Sequence, residues 1–327
     1  MTELNLDGFM LPVKKCKGTE PVERLDLSGK GLLAISAVVI ALLISVNGSL
    51  TSLDLMRNDL DLDSGVAIAE ALKVNSSLRE LNLDGFMLPV KKLKGTEPVE
   101  QLDLSGKGLS AVSAVVIALL IGDNASLTFL NVKGNRLGAE GCAAIAEALK
   151  VNGLLSHLDL SGNSIFRRDG NTIGEVIAES LKVNRSITTL VLVDSNIGNR
   201  GCEAIADALR FRDLLTVLDL KSNNIADRGG MAIAEALFVN GSLTTLNLSA
   251  NSIGKQGAVA IAEALKVNGS LRHLDLGGNL ISNTGGAAIA EAVNRNLSLI
   301  SVNLEQNFIA GWRGQAICRD EPTEFQS

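Results

Sequence analysis

Hydrophobic and polar positions follow a pattern that recurs along the whole chain. A stretch of the form Leu-x-x-Leu-x-Leu-x-x-Asn-x-Leu/Ile precedes a segment of the form Gly-Ala-x-Ala-Ile-Ala-Glu-Ala-Leu-Lys-Val-Asn-Gly-Ser, most clearly from Leu243 to Asn268. The Leu-x-Leu part has a period of two, which predicts a short strand. The second segment has a period near 3.6, which predicts a helix. Each repeat is therefore expected to contain one strand, one turn and one helix.

The pattern occurs twelve times, mostly at intervals of 28 residues, with two intervals of 21 and one of 32. A fixed period of this length predicts a stacked solenoid. We expect residues 1–318 to form this solenoid and residues 319–327 to form a polar tail. The strands should make one parallel sheet on the concave face of an α/β horseshoe, with the helices on the convex face. The predicted strand centres are Leu4, Leu25, Leu53, Leu81, Leu102, Leu130, Leu158, Leu190, Leu218, Leu246, Leu274 and Val302.

The 28-residue period and the Asn-Gly-Ser-Leu sequence after the helices resemble the ribonuclease-inhibitor-like class of leucine-rich repeats. The resemblance covers essentially the whole chain and implies a scaffold that binds a partner protein on the concave face. It also implies two alternatives: a GTPase-activating regulator like the Ran GTPase-activating protein, and the sensing repeat domain of a NOD-like receptor. Ribonuclease inhibitors are rich in cysteine and aromatic residues, whereas this chain has 4 Cys, 1 Trp and no Tyr. Inhibition of a ribonuclease is therefore not favoured.

Charge and cysteine content narrow the class of partner and the compartment. The net charge is −6, which argues against a nucleic-acid partner bound by phosphate neutralisation. The cysteines form no Cys-x-x-Cys pair, and the N-terminus carries no pattern of a signal peptide. Free thiols in a reducing compartment are expected, so the predicted location is cytoplasmic.

No catalytic, cofactor-binding or metal-binding group emerges from the sequence. The two histidines, His157 and His273, lie four repeats apart, too far to share a metal ion or a substrate. Residues 169–174 resemble the start of a calcium loop but have Ile173 at the fifth position. We interpret them as part of a surface loop around residues 166–170, where Arg167 and Arg168 are available to a partner.

A three-repeat block is duplicated, because residues 1–60 and 78–137 are near-copies offset by 77. The first repeat of each block, residues 6–21 and 83–98, is short, shows no helical period, and has phenylalanine at the asparagine position. A basic knob is expected to protrude from each of these short repeats. The lysines of the two knobs are Lys14, Lys15 and Lys17, and Lys91, Lys92 and Lys94.

The second repeat of each block contains an unusually apolar helix, residues 34–44 and 111–121. These helices are too short to span a membrane, which takes about 20 apolar residues. Two interpretations remain for their outward leucines: an exposed interface, or leucines covered because the neighbouring repeat is short. The second is favoured.

Eight Asn-x-Ser sequences are present, and seven of them follow a predicted helix. Glycosylation is one interpretation. The alternative is structural, with asparagine or glycine adopting a left-handed cap at the end of the helix. The structural alternative is favoured.

The strand residues that face away from the core are the candidate binding residues. Eleven of the twelve residues that follow the strand centres are Asp or Asn, and Val191 is the exception. This column suits a basic protein partner, although bonding between neighbours in the ladder explains it equally well. Apolar residues on adjacent strands mark one sector as a binding hot spot. The predicted partner-binding residues are Asp103, Phe129, His157, Asp159, Val191, Val193, Val217 and Asp219.

Overall fold

The structure is a computed structural model that describes residues 3–163, 173–211 and 213–310, together with the backbone of residues 317–318. The described residues form two compact units. The first comprises residues 3–155 with Asn163, and the second comprises residues 156–162 and the described residues from 173 onward. The arginine-containing loop, the calcium-like sequence up to residue 172 and the polar tail lie outside the described residues.

The first unit alternates short strands and helices. Strands β3, β4 and β5 run parallel, as do β7 and β8, whereas β1 with β2 and β5 with β6 form antiparallel pairs. The strands are β1 (Leu4–Leu6), β2 (Phe9–Leu11), β3 (Arg24–Asp26), β4 (Ser52–Asp54), β5 (Glu80–Asn82), β6 (Met87–Pro89), β7 (Gln101–Asp103) and β8 (Phe129–Asn131). The helices are α1 (Val13–Lys17), α2 (Ala34–Ile44), α3 (Leu62–Val74), α4 (Val90–Leu93), α5 (Ala111–Ile121) and α6 (Gly138–Leu149).

The second unit is more regular. Its first six strands are parallel, each paired with the strand of the next repeat, and β15 is antiparallel to β14. The strands are β9 (His157–Asp159), β10 (Thr189–Val191), β11 (Val217–Asp219), β12 (Thr245–Asn247), β13 (His273–Asp275), β14 (Ser301–Asn303) and β15 (Ile317–Cys318). The helices are α7 (Ile173–Val183), α8 (Gly198–Phe211), α9 (Asp227–Leu237), α10 (Lys255–Leu265) and α11 (Asn283–Arg295).

Eleven of the twelve predicted strand centres lie at the middle of a strand, and the twelfth, Leu4, is the first residue of β1. This agreement confirms an α/β solenoid. The central leucine points into the layer between strands and helices, and Leu190, for example, is fully buried. In the register of the sheet Leu190 lies between Leu158 and Leu218. The core of each unit is therefore a continuous stack of aliphatic side chains contributed by successive repeats.

In the repeats that carry asparagine after the strand, its side chain bridges the turn to the preceding repeat. Asn223 donates from Nδ2 to the carbonyl of Leu192 (2.6 Å), and its Oδ1 accepts from the amides of Ser195 (3.0 Å) and Ile197 (3.1 Å). Backbone groups that have no strand partner are thus satisfied. Equivalent bonds are made by Asn58, Asn135, Asn251, Asn279 and Asn307.

A second row of asparagines lies where the helices end. Asn75 donates from Nδ2 to the carbonyls of Ile44 (2.7 Å) and Asn47 (2.8 Å), and its Oδ1 accepts from the amides of Ser77 and Leu78. Its backbone is extended, with φ −67° and ψ 128°, so the expected left-handed cap is wrong. The buried amide itself satisfies the end of the preceding helix. Glycosylation at this position would break these bonds, which supports the structural interpretation.

The two short repeats contain antiparallel hairpins, so the expectation of one uniformly parallel sheet is wrong there. Asp7 and Gly8 form a two-residue turn with φ of 54° and 83°, and Leu6 pairs with Phe9. Asp-Gly favours such a turn because both residues tolerate positive φ. In the second copy Asn82 pairs with Met87. The chain therefore reverses immediately after the strand in both copies.

The expectations that the short repeats lack a helix and carry a protruding basic knob also need correction. Each hairpin is followed by a short helix, α1 or α4. Lys94 does not protrude, because its Nζ donates to the carbonyls of Leu72 (2.6 Å) and Asn75 (2.7 Å) at the end of α3. Lys17, its counterpart in the first copy, is exposed.

The favoured interpretation of the apolar helices holds for α5 and is wrong for α2. Helix α5 packs between α3 and α6, and Val115 is buried. Helix α2 packs against α3 and the short α1. Its Ile35 and Leu42 are 73% and 69% exposed, because no described helix covers that side.

We expect Asn223→Ala to lower the free energy of unfolding by about 2–3 kcal/mol, because buried amides and a carbonyl lose their partner. Chemical denaturation followed by circular dichroism measures the change. Asn294→Ala, on the exposed side of α11, is the matched control and should change stability by less than about 0.5 kcal/mol. Equal stability of the two variants would contradict a bridging role for the asparagine row.

Candidate functional site

The sheet of the second unit presents side chains in rows on the face away from its core. Residues on either side of each buried central leucine point outward, and the parallel register aligns them from strand to strand. One row consists of His157, Thr189, Val217, Thr245, His273 and Ser301. The next consists of Asp159, Val191, Asp219, Asn247, Asp275 and Asn303.

The Asp and Asn side chains close the turns that follow their strands. Oδ1 of Asp159 accepts from the amide of Ser161 at 2.8 Å, and Oδ1 of Asp219 accepts from the amide of Lys221 at 2.9 Å. Neighbouring side chains also bond each other, as when Asn247 donates from Nδ2 to Oδ2 of Asp219 (3.1 Å). These bonds support the structural interpretation of the column. They leave the negative charges half-exposed on the sheet face, where a basic group of a partner can reach them.

Val191 interrupts this row between two carboxylates. In the register of the sheet it lies directly between Asp159 and Asp219. Neither carboxylate can therefore accept a hydrogen bond from a side-chain amide at position 191. Val193 follows on the same side of the chain, and its amide donates to Oγ of Ser161 at 3.0 Å. Val217 occupies the adjacent row. We call Val191, Val193 and Val217 the valine patch; all three are half-buried.

His157 stands at one edge of the patch. Burial lowers the pKa of its imidazole below the usual value of 6.5, and the nearby carboxylate of Asp159 partly opposes this shift. His157 is therefore expected to be neutral at pH 7. The structure thus brings six of the eight predicted site residues onto one sheet face. They are His157, Asp159, Val191, Val193, Val217 and Asp219.

The other two predicted site residues belong to the sheet of the first unit. Phe129 is half-buried on β8 and pairs in register with Gln101. Asp103 is exposed on β7, and hydrogen bonds from the backbone amide and then the hydroxyl of Ser105 lower the pKa of its carboxyl. The two residues lie on neighbouring strands and make a smaller outward-facing pair.

A groove of about 310 Å³ was not predicted from the sequence. It adjoins the valine patch at Val217 and extends past Thr245 to His273 and Ser301. Nδ1 of His273 lies 2.9 Å from Oγ of Ser301. The sequence feature that could have indicated this groove is that His273 holds the same strand position as His157. Four strand spacings of about 4.8 Å separate the two rings by roughly 19 Å, which rules out a shared metal ion but not a shared binding face.

Metal-binding clusters and membrane-spanning helices are both absent from the described residues. No group of three or more His, Cys, Asp or Glu side chains is placed to hold a metal ion within the described part of the chain. None of the helices described is long and apolar enough to cross a membrane.

A known protein family matches this repeat architecture. The family described as Leucine Rich repeat matches residues 46–69, 123–146, 183–206, 214–234, 239–262 and 267–290. Six stretches of the chain therefore match leucine-rich repeats, in keeping with the α/β repeat solenoid. Leucine-rich repeats generally serve as protein-binding scaffolds, which supports a protein-interaction module.

Two solved structures are similar to parts of this protein. A structure titled leiomodin-1 actin-binding site 2 is 23% identical, with a TM-score of 0.39, over 46% of this chain and 87% of that one. The tropomodulin C-terminal domain of Caenorhabditis elegans is 18% identical, with a TM-score of 0.31, over 34% of this chain and 71% of that one. No curated protein matches the sequence.

We expect Asp159→Asn to lower the pKa of His157 further, because the substitution removes the carboxylate that partly opposes the effect of burial. Titration of the imidazole proton signals by NMR measures this change, and a His273→Gln variant assigns the two rings. An unchanged His157 titration in Asp159→Asn would show that the carboxylate does not act on the ring.

Proposed function

We propose that this protein is a recognition scaffold that binds a partner protein through the valine patch on the sheet face of its second unit. The observation that supports this most directly is the replacement of Asp or Asn by Val191 within a polar row. Two further valines lie beside it on the same face. Apolar side chains on an otherwise polar surface are costly to hydrate and commonly mark a contact site.

The chemistry around the patch suits one kind of partner segment. Asp159 and Asp219 flank Val191, and His157 lies at the edge as a neutral ring. A segment that places an aliphatic side chain against the valines and a lysine or arginine beside each carboxylate would match both features. In such contacts the apolar centre supplies most of the affinity, and the surrounding charges direct encounter and orientation.

We assign Phe129 and Asp103 to a second contact on the first unit. An aromatic ring beside a carboxylate suits the same combination of apolar and basic partner groups. The two contacts are separate parts of the proposal, because each is defined within its own unit. Each therefore needs its own variant.

The alternatives raised by the resemblance have less support. A GTPase-activating role, or the sensing role of a NOD-like receptor, would be supported by residues characteristic of those proteins. No such residues stand out in the described part of the chain. Membership of the ribonuclease-inhibitor-like class also remains a proposal. The repeat family and the valine patch favour binding.

We also propose a cytoplasmic location, supported by the thiols. Cys16, Cys142 and Cys202 are free and buried. Burial raises the pKa of Cys16 to about 11 and the pKa of Cys142 and of Cys202 to about 12, so these thiols stay protonated at neutral pH.

Affinity capture with matched baits tests the proposed function. The wild-type chain, Val191→Asp and Val239→Asp are immobilised in parallel and exposed to extract from the source cells. Val239 is 62% exposed just after helix α9, away from the sheet face. The proposal expects a protein that is retained by wild type and Val239→Asp and lost on Val191→Asp. Equal capture by all three baits would contradict a role for the patch.

We expect Val191→Asp to weaken binding of the captured partner by about 1 kcal/mol or more, because a third carboxylate would be placed in the apolar contact. Titration calorimetry with the purified partner measures the loss. Phe129→Ala tests the contact on the first unit in the same way. Melting curves should match those of the parent, since both positions are half-exposed. Parental affinity in both variants would place the binding site elsewhere.

The charges beside the patch are tested by the double variant Asp159→Asn and Asp219→Asn. Each introduced asparagine keeps an oxygen that can accept the hydrogen bond from the backbone amide of the following turn. We therefore expect the fold to persist. Affinity for the captured partner should fall at low salt, and the difference from wild type should shrink as salt is raised. An equal effect at all salt concentrations would show that the carboxylates act through structure rather than charge.

A further inference from the structure

The sheet of the first unit is interrupted between β6 and β7. Strand β6 is the last strand of the sheet that begins at β3, and β7 is the end strand of the next sheet. The hairpin causes this break, because β6 pairs antiparallel with β5 and occupies the edge that the strand of the next repeat would use. The break lies inside the chain, with a strand and a long helix of a regular repeat described on each side of it.

The bonds that would join β7 to the preceding repeat are missing at this break. At a regular junction the carbonyl two residues before a strand centre accepts from the next repeat, as Glu23 accepts from the amide of Ser52 at 3.0 Å. Arg79 holds the equivalent position before β7, but its carbonyl accepts from the amide of Val90 at 2.8 Å. The amide of Gln101, the counterpart of Ser52, is therefore left without a backbone partner among the described residues.

The other backbone groups on this side of β7 are open as well. Alternate residues of a strand direct their backbone groups to the same neighbour. The carbonyl of Glu100 and the amide of Leu104 both bond backbone groups in β8 or next to it. The amides and carbonyls of Gln101 and Asp103 therefore point away from β8, and within the described part of the chain they have no backbone partner there. We call these four groups the β7 edge.

Solvent reaches the β7 edge. Gln101 and Asp103 are exposed, whereas the two outward residues of the neighbouring strand β8 are half-buried. The central Leu102 is 8% exposed, whereas Leu130 at the centre of β8 is fully buried. An accessible strand edge with unpaired amides and carbonyls is a template for the addition of another strand.

The side chains around the β7 edge define the chemistry of such a strand. Glu97, Glu100 and Asp103 are exposed, and none of the three forms a salt bridge with a described residue. Side chains alternate between the two faces of a strand. Residues that meet the exposed carboxylates therefore recur at every second position, and the residues between them face Leu102. Lysine or arginine suits the first set, and an aliphatic residue suits the second.

We propose that the β7 edge binds an extended segment of a partner protein, which joins the sheet as an additional strand. The segment bonds the amides and carbonyls of Gln101 and Asp103. It carries lysine or arginine at alternate positions, with aliphatic residues between them. The inference rests on the second contact of the proposed function, at Asp103, and not on the valine patch.

Charge favours a basic partner segment over a second copy of this chain. If two copies paired their β7 edges, the carboxylates of Glu100 and Asp103 in one copy would face those of the other and repel them. The first copy of the duplicated block has the same interruption, between β2 and β3. There Arg24 stands where the second copy has Gln101, and its positive charge disfavours a basic segment. The chemistry therefore selects β7.

A short labelled peptide in which lysine and valine alternate provides a defined probe. Fluorescence anisotropy with the full-length chain at low salt should show saturable binding. The same peptide with methylated backbone nitrogens keeps its side chains but loses its backbone donors, so it should bind about fivefold or more weakly. A peptide with glutamate in place of lysine should not bind, because its charges match those of the edge.

Variants of the chain test the edge itself. Gln101→Pro removes one donor and places a ring at the edge, so it should weaken binding of the lysine–valine peptide about tenfold. Proline is tolerated at a strand edge whose amide faces solvent, and circular dichroism checks the fold. Arg24→Pro makes the same change in the first copy and should bind like wild type. Asp103→Asn should weaken binding about threefold at low salt and less at high salt.

Hydrogen exchange measured by NMR locates the peptide on the wild-type chain. The amides of Gln101 and Asp103 should exchange rapidly in the free chain and become protected as the peptide saturates it. The amide of Phe129 is the internal control, because it already donates to the carbonyl of Glu100 at 3.0 Å. It should exchange slowly with and without the peptide.

Four results would overturn the proposal. They are absence of saturable binding, equal binding of the methylated peptide, no protection of the Gln101 and Asp103 amides, and an equal loss of binding in Arg24→Pro and Gln101→Pro. A dimer of the chain alone that Gln101→Pro dissociates would assign the edge to a second copy. If Phe129→Ala weakens binding of the captured partner but the peptide does not bind, the second contact stands and only strand addition is removed.

Discussion

Each unit of this protein depends on asparagine side chains that bond the backbone of the preceding repeat. The chain leaves the sheet once per repeat, and the amides and carbonyls at that turn have no strand partner inside the protein. An unpaired buried group of this kind costs about 1–3 kcal/mol. Asn223 supplies both a donor and an acceptor, and it reaches the turn that contains Ser195 and Ile197. A turn is therefore complete only when the next repeat is in place, which explains why such repeats stabilise one another as neighbours.

The same constraint accounts for the freedom of the sheet face. Because the buried leucines and the asparagines hold the register, the outward residues can vary without disturbing the strands. Most positions in the Asp and Asn row still bond their own turn, as Asp219 does. Val191 cannot make that bond, yet β10 keeps the register of its neighbours. Position 191 is therefore free of a structural duty in its own turn, which is what a contact residue of the proposed kind requires.

The sequence predicted the regular part of the fold well because its signals are periodic. Eleven of the twelve strand centres follow from spacing alone, and the twelfth, Leu4, opens its strand instead. The hairpins were missed because Phe9 and Phe86 were matched to the asparagine position, although Asp7-Gly8 is a turn signal in its own right. The extended conformation of Asn75 was missed because the carbonyls to which its Nδ2 donates belong to the preceding repeat, which no local pattern reveals. The groove beside Val217 depends on side chains from four strands, so it too has no local signal.

Helices α2 and α5 show where sequence patterns reach their limit. Their sequences are nearly identical, and both are apolar on all sides, a composition that predicts complete burial. Burial is nevertheless a property of the neighbours: α3 covers α5, whereas the corresponding side of α2 remains open. An apolar pattern therefore states that a helix requires cover without stating what provides it. In this chain the duplicated block makes that dependence visible, because Gly65 brings α3 close against Val112 and Val115 of α5 in one copy.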